Sequence, residues 1–201
     1  MSPHIQRAFV LSALVLLLTG TRLHHFAAIP DASWAVFFLG GFYLRDWARW
    51  AFPTLMTLAV AIDWLVITGQ GIPFWSHYCV SPAYWCLVPA YLALWAGGVW
   101  LHRGYRPGHW RELGRLAGAL LVSVAVCHLV SQGSYYWTSS MVATPDLAGW
   151  AKNYFDWLLP FLRVAAMYVA MAAAIQIVME QFIKSHPRRQ DGVAHWMRSR
   201  M

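Results

Sequence analysis

Formal charge in this sequence sits mostly at the ends of long apolar runs, and that distribution decides what the chain can fold into. Trp64 to His102 and Leu116 to Pro145 each pass without one Asp, Glu, Lys or Arg. A run of about 20 apolar residues is long enough to cross a bilayer as a helix. In lipid, a helix also satisfies every backbone polar group internally. Only 11% of residues are charged, against about 25% in soluble domains. The fold class expected is therefore all-α integral membrane, with six transmembrane helices.

The helices are expected at about Gln6–Leu23, Ala32–Leu44, Trp50–Thr68, Ala83–Leu101, Glu112–Gln132 and Gly149–Ile183. The second is too short to span unaided, so it should be tilted, sheltered by neighbours or extended by loop residues. No small-x-small cleavage site follows Ala8 to Leu18, and the first helix is read as retained. Residues 1–184 form one domain of six helices, and 185–201 a basic tail. Polar-aromatic loops are expected at Gly69–Cys86 and Gly133–Ala148. Small-residue faces at Gly114-xxx-Gly118 and Ala166-xxx-Ala170-xxx-Ala174 are read as internal helix packing.

The net charge of +7 does not imply nucleic-acid binding, because the basic residues flank apolar runs instead of covering a polar face. Twelve of the fifteen lysines and arginines fall on one side of a six-span chain; Arg22, Lys152 and Arg163 are the others. The positive-inside rule then places both termini in the cytoplasm. The loops around Phe26, Cys79 and Tyr135 face outward together. Asp63, inside the third helix, needs a partner or water; Arg163 is the candidate, and Asp156 lies close to Arg163 on the same face. The pair Cys127–His128 is read as packing and hydrogen bonding.

The outward stretch GQGIPFWSHYCVSPAYWC, from Gly69 to Cys86, carries more chemistry than a connection needs. Pro82 keeps Cys79 in irregular backbone. Cys79 has three readings: a packing residue, a disulfide partner of Cys86, or a free thiolate able to ligate a metal-bearing ligand. His77 lies two residues away. No CxxC or CxxCH pattern is present, which removes the usual zinc and c-type haem signatures. Adjacent histidines on a helix diverge by about 100°, so one of His24 and His25 faces the cavity. His25, His77, Tyr78, Tyr84, Trp85, Tyr135 and Tyr136 then line a mouth of flat apolar rings with polar groups between them. Such a mouth suits a large, partly apolar, amide-rich ligand, though an interfacial aromatic belt has the same composition.

The segments IPDASWAVFFLGGFYLR and WLVITGQGIPFWSHYCVSPAYWCLVPAYLALW resemble the BtuM family. These are solitary cobalamin-specific substrate-binding subunits (S-components) of the energy-coupling-factor (ECF) type. The resemblance covers nearly the whole chain and is most specific around Cys79. It implies an S-component-like bundle in the bacterial inner membrane, taking up cobalamin or cobinamide as bound substrate without an independent metal. It also implies that Cys79 is the axial ligand to the cobalt of the corrinoid, with loss of cyanide from cyanocobalamin, the lower base being off the metal. The partners implied are corrinoid, membrane lipid and an ECF coupling module of a transmembrane subunit plus ATPases, unless the protein acts alone; nucleic acid is not among them. The chain departs from other S-components at the first helix. The docking face expected there is Ala-xxx-Ala, and here it reads Ala8-xxx-Ser12. A membrane haem or quinone protein, or a thiol-dependent membrane enzyme or assembly factor, would also account for His128 and the loop thiol.

Overall fold

The computed structural model describes residues 3–23, 29–77, 80, 82–106 and 109–185. They form six α-helices: α1 (Pro3–Arg22), α2 (Ser33–Tyr43), α3 (Ala48–Gly69), α4 (Leu87–Arg103), α5 (Arg111–Thr138) and α6 (Leu147–Ser185). Five are long and apolar enough to cross a membrane, and α2 is the short one. Two compact units divide within α6, Met1–Val169 and Ala170–Met201. In the second, the described residues are the last turns of α6, where Met171, Ile175, Val178 and Phe182 are exposed.

The helix α2 is sheltered, as its length requires. Nine of its eleven residues are buried, because its sequence is apolar all round and no solvent-facing stripe interrupts it. It approaches α4 through two glycine pairs. A Cβ on Gly41 would strike the Trp95 backbone, and one on Gly98 would strike the Phe38 carbonyl. Glycine is needed here for close backbone approach. Around this crossing Phe37 stacks on Tyr91 at 4.4 Å, and Phe52 meets Trp95 edge-on at 5.5 Å.

Contacts fix which helix ends lie together. Arg7 near the start of α1 bonds Asp46, between α2 and α3, at 2.5 Å. Phe42, at the end of α2, meets His102 at 5.0 Å and Tyr105 at 5.3 Å, at the end of α4. Arg115 in α5 donates to the Gly104 carbonyl. One end of the first five helices therefore gathers Arg7, Arg45, Arg49, Arg103, Arg106, Arg111 and Arg115. We call it the basic end. At the other end, the loop end, Arg22 of α1 meets Asp31 before α2 and Asp63 late in α3. The helix α6 is joined to α5 and α2 by side chains. Gln132 donates to Asn153 at 2.8 Å, Trp34 stacks on Phe161 at 4.6 Å, and Tyr168 donates to the Pro30 carbonyl at 2.7 Å.

Three expectations change. The second polar-aromatic loop is mostly helix, since α5 continues to Thr138 and the connection shortens to 139–146. Gly133 does not break the helix; it is buried, and a Cβ there would make only an ordinary contact with Trp150 Nε1 at 3.5 Å. Pro82–Cys86 is a 3-10 segment, which places Cys86 just before α4 instead of inside it. Among the described residues nothing packs on the Gly114-xxx-Gly118 face: a Cβ at either glycine meets no atom within 4 Å.

Candidate functional site at the loop end

Four separate pieces of chain meet in one ion network. The Arg22 guanidinium grips Asp63 with two parallel bonds, Nε to Oδ1 and Nη2 to Oδ2, both 2.7 Å. Its Nη1 reaches Asp31 Oδ2 at 3.0 Å and Ser33 Oγ at 2.7 Å. Ser33 donates its own hydroxyl to Asp31 Oδ1 at 2.6 Å, and its backbone N–H donates to the same oxygen at 3.0 Å. Tyr84 donates to Asp63 Oδ2 at 2.7 Å. Every carboxylate oxygen thus has a donor, although one cation serves two carboxylates. The Arg22 side chain is 10% exposed and Asp63 19%. Planar, fork-shaped Arg suits such a shared bidentate position, where a lysine would offer a single point charge.

The sequence expectation for Asp63 is therefore corrected. Its partner is Arg22, 41 residues away, and not Arg163, which is exposed on α6. Asp156 pairs with Lys152 at 2.5 Å, one helical turn back.

The network positions the stretch that follows Cys79. Gly71 ends α3 with φ +76, in the left-handed region that glycine tolerates. Extended Pro73 then leads into a 3-10 turn, Phe74–Ser76. Phe74 is buried edge-on against the Tyr84 ring at 5.9 Å, so Asp63 and Phe74 together hold Tyr84. The neighbours of these anchors point outward: Trp75 is 73% exposed and Trp85 69%. Arg22, Phe74, Trp75, Tyr84, Trp85 and Tyr91 line a groove of about 80 Å³. It has room for a side chain, not for a macrocycle.

The other candidate residues are distributed as follows. His77 is half-buried, and its N–H closes the 3-10 turn on the Phe74 carbonyl at 3.3 Å. The 3-10 segment Pro82–Cys86 packs on α5, the helix that carries Tyr135 and Tyr136. Tyr135 is half-buried. Tyr136 is buried, and its hydroxyl accepts from the Asp146 N–H at 3.4 Å, closing the α5–α6 turn. His24, His25, Tyr78 and Cys79 lie outside the described residues. Cys86 and Cys127 are free thiols, so neither is spent in a disulfide.

His128 is 1% exposed; its Nε2 lies 3.0 Å from the Tyr154 carbonyl, and its ring neighbours are Trp34, Tyr154 and Phe161. That is a packed, hydrogen-bonded histidine among aromatic rings. Among the described residues no three His, Cys, Asp or Glu side chains gather as a metal-binding group. No family model matches the sequence, and no curated protein matches it significantly.

Proposed function

We propose that this is a corrinoid-binding uptake protein of the bacterial inner membrane, with the Cys79 thiolate as axial ligand to cobalt. The observation that supports the reading most is the frame on either side of Cys79. Phe74 and Tyr84 are anchored, through Asp63, to Arg22, while Trp75 and Trp85 stand exposed beside them. Exposed indole faces on a braced scaffold suit a flat apolar ring, and a soft sulfur donor between them in sequence suits cobalt. The groove beside them is too narrow for a corrin, so in this reading the ring lies over the tryptophans. The orientation follows from the basic end, which the positive-inside rule assigns to the cytoplasm. Both termini are then cytoplasmic, and Cys79 opens outward.

In this reading Cys79 gives an electron pair to cobalt(III) and the cyanide on the opposite face leaves as the anion. The thiol proton passes to solvent or to His77. No redox change is required. The coupling module and the energy source belong to the same proposal: a solitary subunit works alone or borrows a module.

The test is the visible spectrum of cyanocobalamin incubated with purified protein. The parent and Cys86→Ser should change it, and Cys79→Ser should not. An unchanged spectrum with the parent, or the same change with Cys79→Ser, would overturn cobalt–sulfur ligation.

A further inference from the structure

The basic end holds a second concavity unrelated to the loop-end site. The last turn of α4, residues 104–106 and 109, and the first turns of α5 line an open hollow of about 450 Å³. Its walls carry Arg103, Arg106, Arg111 and Arg115, with Glu112 as the one carboxylate. Two of these groups are spent on each other. Glu112 pairs with Arg115 at 3.2 Å, and Arg115 also donates to the Gly104 carbonyl and lies 5.4 Å from the Trp100 ring. That arrangement makes Arg115 a fixed wall. Among the described residues no carboxylate pairs with Arg103, Arg106 or Arg111, and all three are exposed. The start of α5 adds the positive end of a helix dipole. Three unneutralised guanidinium groups around one hollow define a site for a compact anion with several acceptor oxygens.

The surroundings decide which anion. Trp100 and Trp110 lie against two of the wall arginines, Arg115 and Arg111, and are exposed; indole rings prefer the headgroup level of a bilayer. From the cavity, one face of α5 runs into the apolar span through Arg111, Gly114 and Gly118, spaced to share a helix side. Both glycines open onto empty space. A bare strip of backbone leading from a cationic cup into the hydrocarbon layer accommodates an acyl chain below a phosphate. We propose that the adjoining ends of α4 and α5 bind an anionic phospholipid, with Arg103, Arg106 and Arg111 on the phosphate and the Gly114–Gly118 strip against a chain. Basic pockets between spanning helices, on the side where anionic lipid is attracted, are suited to this.

The experiment is native mass spectrometry of the detergent-purified full chain with added dioctanoyl phosphatidylglycerol, phosphatidylcholine of the same chain length, or inorganic phosphate. The parent should retain phosphatidylglycerol and release phosphatidylcholine. Arg106→Ala/Arg111→Ala should bind phosphatidylglycerol about 30-fold more weakly, the loss expected for two basic residues facing an anionic headgroup. Both residues are exposed and, among the described residues, neither pairs with a carboxylate; Arg111 only lies 5.9 Å from the exposed Trp110 ring, so the unliganded melting temperature should barely move. Arg106→Gln alone should lose part of the affinity, which keeps the test decisive if the double variant folds poorly. Equal retention of the zwitterionic lipid, or undiminished binding in both variants, would overturn the proposal. Displacement of phosphatidylglycerol by millimolar inorganic phosphate would overturn the lipid assignment in favour of a free-phosphate site.

Discussion

The helix α1 carries an arginine–aspartate pair near each end, and the two pairs are built differently. At the loop end Arg22 holds Asp63 through two bonds and Asp31 through a third, with side chains 10% to 20% exposed. At the basic end Arg7 meets Asp46 through one bond, with side chains 29% and 49% exposed. The same residue types connect the same helix to its neighbours in both places. Where water reaches the pair, it can replace either partner, so the contact adds little. Where the pair is shielded, removing one partner strands a charge, so the contact becomes obligatory once the other charge is present. The loop end is therefore expected to be the rigid end, and the basic end the adaptable one.

That contrast is easiest to break at Arg22. Replacing it with Met strands two carboxylates and should cost about 3–5 kcal/mol, the scale for an uncompensated buried charge. The measurement is thermal unfolding of the detergent-solubilised protein. Adding Asp31→Asn and Asp63→Asn to Arg22→Met should recover part of the loss, because the stranded charges are then gone. A midpoint for Arg22→Met within a degree of the parent would mean that water reaches the network. A smaller effect is expected for Tyr84→Phe. Asp63 keeps both Arg22 bonds, so the loss should be about 1.5 kcal/mol, near the low end for a hydrogen bond to a charged group. Proteolysis between residues 70 and 86 should also speed up, since Tyr84 braces that stretch; an unchanged cleavage rate would detach the loop from the network. The smallest effect is expected for Arg7→Gln, about 0.2–1 kcal/mol and shrinking with added salt. A loss as large as that for Tyr84→Phe would remove the distinction between the two ends.

Much of this architecture can be read from the residues. The long spans follow from where charges stop, and the sheltered position of α2 follows from a segment that is apolar on every side yet only eleven residues long. The partner of Asp63 is less visible, because Arg22 lies 41 residues away and no periodicity links the two. A usable signal existed: Arg22 is the only basic residue expected at the outward end of the first three helices, and Asp31 and Asp63 are the acids there. Charges so isolated in an apolar chain have few partners but each other. The continuation of α5 through Gly133-Ser134-Tyr135-Tyr136-Trp137 was hidden for another reason. Glycine and serine there look like loop residues, but Gly133 is buried within α5 and Ser134 bonds back to the Ser131 carbonyl of the same helix. Likewise, Gly114-xxx-Gly118 looks like a packing face, but the close approaches shown are Gly41 with Gly98 between α2 and α4, and Gly97 against Ser123 of α5. Spacing shows that two backbones can approach; it does not show which ones do.

The glycine crossing also bears on the order in which the chain can be assembled. Synthesis delivers α2 some fifty residues before Gly97 and Gly98. Until they emerge, Phe37, Phe38 and Phe42 have none of the surroundings that α4 supplies. The insertion machinery thus receives, early, an apolar segment of about half the length a bilayer calls for. It must keep that segment out of the aqueous phase without its final neighbours. The lodging of α2 is a late event, timed by the arrival of α4.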